Sequence, residues 1–497
     1  MQIGKLVDKL LIKNVVGNSN LEIQGIEVDS RKVKPGDLFI CLPGITVDGH
    51  RFANDAVVSG AVAVLIEKDI DLPSHITKIR VSDTRLAMAI LSAEFYGHPT
   101  SKLNLIGVTG TNGKTTTTYL IEKILNENNK KTGLIGTIQM RIGEYTEKTF
   151  NTTPEAIELQ RFFKKILDHG GEYAVLEVSS HALDMGRVRG CNFKSSIFTN
   201  LTHDHLDYHD TMEKYRETKS LLFSQLGNTY DNLPKAAIIN LDDEVSNYIA
   251  RKTSAQIITY GIHNKADVQA RDIEITSKGT SFVVDTFNGS IPLKLQLTGK
   301  FNVYNSLAAL TACLVEDVPL ERIKSSLETF EGVRGRFERV EAGQDFTVIV
   351  DYAHNPDGLQ NVLRTAKQIT KGKLLCIVGC EGDRDRKKRP VMANIAVDYS
   401  DYAILTSDNT RSEEPEDILM EMSSELISKN LHSGRYNVIT DRREAIYHAI
   451  EMARQNDCII ITGKGHETNQ IIKNNQFIPF DDREIAFECI KNKRILF

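Results

Sequence analysis

The 497-residue sequence predicts an α/β protein of three domains, with expected boundaries at 1–100, 101–331 and 332–497. Three observations carry that expectation. Short apolar strand segments alternate with helical stretches along most of the chain. Glycine-rich or polar clusters follow many of those strands, as they do in sheets that bind ligands at their carboxyl ends. The length also suits roughly three units of about 150 residues each.

In the first unit, 21-LEIQGIEVDSRKV-33, 38-LFICLPG-44 and 61-AVAVLIE-67 read as strands, with Pro35-Gly36 and Pro43-Gly44 as turns. A helical stretch starts at Phe52, and 84-TRLAMAILSAEFYG-97 reads as a helix stopped by Gly97 and Pro99. The second unit opens with the apolar strand 103-LNLIGVTG-110, which runs into glycines and a helix from Lys114 to about Asn129. Buried strands at 173–179, 195–200 and 236–240, separated by helices, predict a mainly parallel sheet. Residues 257–298 alternate as antiparallel strands would, and 300–314 read as a helix. The third unit, from about Gly332, has strands at 347–353, 374–380, 402–407, 436–440 and 458–463. They alternate with helices, a doubly wound pattern that places DYAHNP, GCEGDRD, SDNTR and GKGHE at strand ends.

Composition narrows the function. A net charge of -5 gives no electrostatic reason for a nucleic-acid partner. No run of about 18 apolar residues predicts a membrane span, and the N-terminal stretch lacks a signal-peptide pattern. Seven scattered cysteines without a CxxC pair suit reduced thiols in a cytoplasm.

The loop 109-TGTNGKTT-116 sits between a strand and a helix, the context of a phosphate site. A Walker loop would have a glycine at position 108, where this chain has Val108. Lys114 is placed to reach the β- and γ-phosphates and Thr115 to ligate Mg²⁺. Glu177 ends the strand YAVLEVS, either as a Mg²⁺ ligand or as the first polar residue leaving the sheet. His203, His205 and His209 have zinc-like spacing but no accompanying cysteine, so one histidine beside a second Mg²⁺ is preferred. Lys219 shares an apolar helix stripe with Tyr215, Leu222 and Leu226. Two readings stand: a desolvated amine able to form a carbamate with CO₂, or a lysine snorkelling at the stripe's edge.

TGTNGKTTT, EVSSHALDMGR, NLTHDHLDYH with YRETK, GRFE and DYAHNP together resemble the Mur ligases, ATP-dependent amide ligases of bacterial cell-wall precursors. The resemblance spans essentially the whole chain. It implies an N-terminal UDP-binding domain, a central P-loop-like ATPase domain and a C-terminal Rossmann-like domain. DSR at 29–31, NTTPE at 151–155 and GKGHE at 463–467 resemble the member that extends UDP-N-acetylmuramoyl-L-alanyl-D-glutamate by a third amino acid.

Residue roles follow from the resemblance. Gly110, Thr111, Asn112, Gly113, Lys114, Thr115 and Thr116 correspond to the ATP phosphate loop, with Asn302, Arg336, Asp351, His354 and Asn355 as further nucleotide contacts. Thr115 and Glu177 would lie near one Mg²⁺ and His205 near a second, and Lys219 matches the family's carbamylated lysine. Lys114, Lys219 and His205 are the expected catalytic groups. Ser30, Asn151, Thr152, Thr153, Ser179 and Arg187 correspond to residues holding the UDP-muramoyl dipeptide. No protein nucleophile is required, so Cys380 is read as a packing residue.

The family separates meso-diaminopimelate from L-lysine by a loop whose diaminopimelate form is DNPR; here it is Asp408-Asn409-Thr410-Arg411. Arg411 is expected to grip the distal carboxylate of diaminopimelate and to be left unpaired by lysine. Thr410 in place of proline removes a fixed φ. Arg384, Gly463 and Glu467 match the remaining contacts. The rivals are a lysine-adding member, a folylpolyglutamate synthetase and a non-catalytic nucleotide-binding protein. A cytoplasmic monomer is expected.

Overall fold

The computed structural model describes residues 1–44, 47–228, 234–429, 434–473 and 476–495. Three main sheets follow one another along the chain. The first has five strands, in the order Asn14–Val16, Thr77–Arg80, Ala63–Ile66, Asp37–Ile40, Gly25–Glu27. All pair in parallel except the edge strand Asn14–Val16. Of the expected strand at 21–33, only Gly25–Glu27 pairs within this sheet. Asp29 ends the run by turning the chain, its carboxylate accepting from the backbone N–H of Arg31 at 3.1 Å.

The second sheet has eleven strands. Its parallel centre runs Gln256–Gly261, Ala236–Asn240, Phe193–Phe198, Asn104–Thr109, Tyr173–Glu177, Thr132–Ile135. The chain leaves Asn104–Thr109 toward one side and later returns to build on the other. The loop after Asn104–Thr109 therefore lies at the switch in strand order, where open α/β sheets bind ligands.

Two differences from the sequence reading stand out. Thr132–Ile135 was not expected, because its glycine disguises a fully buried strand. That glycine is required: a Cβ on Gly133 would lie 2.3 Å from Ile166 Cδ1 of the covering helix. Gln256–Gly261 also pairs in parallel, in contrast to the antiparallel reading of 257–298. The helix Ser246–Ala250 lies in the connection before it, and a crossover returns the strand in the parallel sense where a hairpin would reverse it. The antiparallel meander is confined to Val268–Thr276, Gly279–Thr286 and Gly289–Leu295.

The third sheet runs Glu338–Arg339, Thr347–Asp351, Cys458–Thr462, Leu374–Val378, Tyr402–Leu405, Tyr436–Val438, parallel but for the first pair. Leu374–Val378 and Cys458–Thr462 are buried throughout, as expected of strands covered by helices on both faces. No helix among the described residues is long and apolar enough to cross a membrane.

The carboxyl edge of this sheet is held by a buried ion pair. Arg442 and Asp482 are both fully enclosed and meet through Nε–Oδ1 at 2.8 Å and Nη2–Oδ2 at 2.7 Å. Arg442 also donates to the carbonyl of Thr462 at 2.8 Å. Asp482→Ala would strand the guanidinium without its partner. It is expected to destabilise the third unit by about 3–5 kcal/mol, measured as an earlier urea transition by circular dichroism.

Candidate active site

Gly110 adopts φ 151°, and a Cβ there would fall 1.9 Å from Thr199 Oγ1, so only glycine lets the chain pass this close. Gly113, at φ 88°, turns the loop into the helix Lys114–Glu127. Lys114 folds back over the loop and donates to the carbonyls of Gly110 at 2.9 Å and Thr111 at 2.8 Å. The Thr111 hydroxyl meets Tyr215 OH at 3.1 Å.

Lys219 reaches the same point from the helix Met212–Ser224. Its amine donates to Gly110 O at 2.8 Å and lies 4.6 Å above the Tyr215 ring. The side chain is 1% exposed, so it is buried and does not snorkel. Desolvation, with repulsion from Lys114 added, pulls its pKa well below that of an ordinary lysine. Burial lowers the Lys114 amine as well, against the pull of Glu177 and Asp204. A neutral amine is the form that can take up CO₂.

Glu177, fully buried, points its carboxylate at the start of the loop's helix. Oε2 accepts from Thr115 Oγ1 at 2.8 Å and from Thr137 Oγ1 at 3.0 Å, and Oε1 accepts from Thr137 N at 2.9 Å. Thr115 and Glu177 together offer the hard oxygen donors that Mg²⁺ prefers. The three histidines diverge. His209 meets Ser180 Oγ at 2.9 Å, His203 faces Asp385 at 3.6 Å, and His205 stays beside Asp204 at 3.7 Å. Desolvation disfavours the protonated form of His205, with Asp204 opposing it.

A cavity of about 510 Å³ opens between this loop and the third sheet, lined by Asn112, Gly113, Thr116, Arg336, Asp351 and His354 among others. Arg336 stacks 4.4 Å from the Tyr352 ring and donates to Thr115 Oγ1 at 3.1 Å. Asp351 accepts from the backbone N–H groups of Phe337 and Ala353, each at 2.7 Å. Asn355 caps the helix Pro356–Ile369 through Gly358 N. Its amide nitrogen reaches Asp204 at 2.9 Å and Asn112 at 3.2 Å. Asn302 is buried behind the cavity, donating to Thr298 O, while Asn305 one turn later lines it.

The groups expected to hold the dipeptide fall into two sets. Thr153 Oγ1 donates to Glu177 O at 2.7 Å and accepts from Ser179 N at 3.0 Å, and Arg187 donates to Thr153 O at 2.9 Å. Thr152 Oγ1 lies 3.2 Å from Thr137 Oγ1. Ser30 and Asn151 make no side-chain hydrogen bond among the described residues.

At the far end of the third sheet, Asp408, Asn409 and Thr410 are buried. Asn409 Nδ2 donates to Glu467 Oε2 at 2.9 Å, and the buried Lys464 amine bridges Asn409 Oδ1 at 3.0 Å and Glu467 Oε2 at 2.8 Å. Gly463 leaves room for Asp408: a Cβ there would lie 2.2 Å from Asp408 Oδ2. Arg411, at φ 55°, is not left unpaired as the sequence reading assumed; Nη2 donates to Glu381 at 2.9 Å. Arg384 Nε lies 3.4 Å from the same carboxylate. Cys380 is buried and desolvation pushes its thiol to about 12, which leaves it inert as a nucleophile.

Family models cover most of the chain: the Mur ligase family catalytic domain at 22–96, the Mur ligase middle domain at 108–313, and the Mur ligase glutamate ligase domain at 335–465. The chain belongs to the Mur ligase family. This Mur ligase is 51% identical over 494 residues to the UDP-N-acetylmuramoyl-L-alanyl-D-glutamate--2,6-diaminopimelate ligase of Bacillus cereus, covering 99% of both chains. It is equally identical, over 493 residues, to the enzyme of that name in Halalkalibacterium halodurans, again covering 99% of both. A solved structure of a ligase with this name aligns with TM-score 0.68 at 32% identity, over 99% of this chain and 100% of that one. The ADP complex of a Thermotoga maritima MurF ligase shares the fold, with TM-score 0.65 at 18% identity, covering 95% of this chain and 96% of that one.

Sequence reasoning passed over Asn305, Asp357, Glu381 and Lys464. Asn305 was within reach, three positions after Asn302 on one helix. Asp357 carried no signal until the sheets met. Its carboxylate accepts from Asn112 Nδ2 at 2.8 Å and from Thr202 Oγ1 at 3.3 Å, tying the third unit to the loop. Asp357→Ala removes both contacts, which at about 1 kcal/mol each shifts the balance toward open forms by about thirtyfold. Small-angle scattering of the nucleotide-free protein should show a larger radius of gyration; an unchanged radius would mean that Asp357 does not hold the two units together.

Proposed function

We propose that this Mur ligase joins meso-diaminopimelate to the D-glutamate of UDP-N-acetylmuramoyl-L-alanyl-D-glutamate, with hydrolysis of ATP to ADP, in cell-wall precursor synthesis. The observation that carries the choice of amino acid is the group around Arg411. Three basic residues converge here: Arg384 and Arg411 on the carboxylate of Glu381, and Lys464 on that of Glu467. Cationic groups gathered at this point suit the distal head of diaminopimelate, which carries a carboxylate beside its ammonium. Lysine brings a bare ammonium there.

The residues then divide the work. The glutamate carboxylate attacks the γ-phosphorus of ATP, giving an acyl phosphate and ADP. The amine of diaminopimelate attacks the acyl carbon, inorganic phosphate leaves, and the amine gives up a proton. Negative charge gathers on oxygens in both steps, and Lys114, which donates to the Gly110 carbonyl, and Arg336, which donates to Thr115 Oγ1, would meet it. Thr115 and Glu177 would hold one Mg²⁺, which when bound supplies positive charge to the phosphates. His205 and a carbamylated Lys219 would hold a second. Gly110 to Thr116 would cradle the phosphates and Asn305, Asp351, His354 and Asn355 the rest of the nucleotide. Asn302 supports Asn305, which donates to its side-chain oxygen at 3.2 Å. Thr152, Thr153, Ser179 and Arg187 would face the dipeptide, with Ser30 and Asn151 joining when the nucleotide sugar is bound. The domain limits 1–100, 101–331 and 332–497, a cytoplasmic location and a monomeric state belong to the same reading.

Purified protein with ATP, Mg²⁺ and the UDP-muramoyl dipeptide is expected to incorporate meso-diaminopimelate; comparable turnover of L-lysine would overturn the assignment. Arg411→Ala should raise the KM for diaminopimelate at least tenfold, the size of a lost charge-assisted contact, and leave that for ATP unchanged. Lys219→Ala should be inactive but partly restored by short carboxylates such as acetate or formate. Activity without rescue would rule out the carbamate.

A further inference from the structure

Nothing in the motif pattern assigns a role to Glu381, yet it meets both arginines expected to read the incoming amino acid. Its Oε1 accepts from Arg411 Nη2 at 2.9 Å and from Asn409 Nδ2 at 3.2 Å, and its Oε2 lies 3.4 Å from Arg384 Nε. Burial would raise this carboxyl's pKa, but Arg411 and Arg384 hold it well below the usual carboxylate range.

The Arg411 fork is only half engaged. Nη2 is on Glu381, whereas Nε is buried and has no acceptor among the described residues. A carboxylate seated side-on against a guanidinium uses Nε and Nη2 together. The distal carboxylate of a substrate would find Nε free but would have to displace Glu381 from Nη2 or share it.

We propose that Glu381 is a built-in counter-ion for Arg411 that competes with the substrate's distal carboxylate and sets how sharply the site separates diaminopimelate from lysine. The inference rests on the diaminopimelate reading above. Its consequence runs against the simple argument for Arg411. An amino acid without a distal carboxylate leaves the Arg411–Glu381 pair intact, so no guanidinium is stranded. Its terminal ammonium even gains a carboxylate neighbour. Glu381 therefore weakens the hold on diaminopimelate and softens the rejection of lysine.

The side chain can be changed without dismantling the loop. Arg389, fully buried, anchors this segment through the backbone carbonyl of Glu381 at 3.2 Å and through the Glu413 carboxylate. The Glu381 side chain itself is 20% exposed.

The test is steady-state kinetics of Glu381→Gln with ATP, Mg²⁺, the UDP-muramoyl dipeptide and either amino acid. The KM for diaminopimelate should fall and that for lysine rise, widening the ratio of kcat/KM values about tenfold, with the KM for ATP unchanged. In an Arg411→Ala background the same substitution should leave the diaminopimelate KM where it was. An unchanged ratio, a rising diaminopimelate KM, or the same effect without Arg411 would each overturn the proposal. If Glu381→Gln does not fold, Glu381→Asp, with its carboxylate drawn back by one methylene, should shift the ratio in the same direction by less; no shift there counts against the proposal. Failure of the underlying reading would show already in the wild type, as an absence of diaminopimelate turnover.

Discussion

Two lysine amines meeting on one carbonyl oxygen set the terms for the rest of the site. Lys114 and Lys219 both donate to Gly110 O, at 2.9 and 2.8 Å, in a desolvated corner. Two ammonium ions cannot share such a corner cheaply, and burial depresses both amines. The arrangement becomes favourable when negative charge arrives, from nucleotide phosphates above the loop or from conversion of one amine into a carbamate. Glu177 and Asp204 stand close enough to moderate the excess, and neither is in direct contact with Lys219. The loop is thus electrostatically primed for an anion before any ligand binds.

The same corner is wired to the substrate side. Thr137 holds Glu177 through both its N–H and its hydroxyl, and that hydroxyl also reaches Thr152. Thr153 donates to the Glu177 carbonyl. The carboxylate proposed to hold a metal and the threonines proposed to meet the dipeptide therefore share hydrogen bonds. A shift of the segment carrying Thr152 and Thr153 would be felt at Glu177 without any larger rearrangement.

Much of this was legible in the sequence because local signals and global fold agree. A strand, a glycine turn and a helix at 103–129 leave few other structures open, and the apolar strands of the third unit announce a buried parallel sheet. The parts that stayed hidden share a cause: they depend on partners distant in sequence. Thr132–Ile135 is a strand because Ile166 covers its glycine, and Gln256–Gly261 runs parallel because a helix precedes it. Asp357 gains meaning only against Asn112, and Glu381 only against Arg411. Arg411 is the sharpest case: in the sequence it stands as an isolated charge, and a carboxylate thirty residues upstream supplies its counter-ion.

The seam beside the loop has a bearing on turnover. Asn112, Thr202, Asn355 and Asp357 join the second and third units there through hydrogen bonds between polar side chains. Water can take over each of those bonds when the units part, so the net loss per contact is only about 1 kcal/mol. A greasy seam would have had to be wetted at every opening. This one can exchange its partners for solvent, so at the proposed nucleotide site it could let ADP and phosphate drain and re-form around fresh nucleotide, and the grip that aligns the reactants need not trap the products.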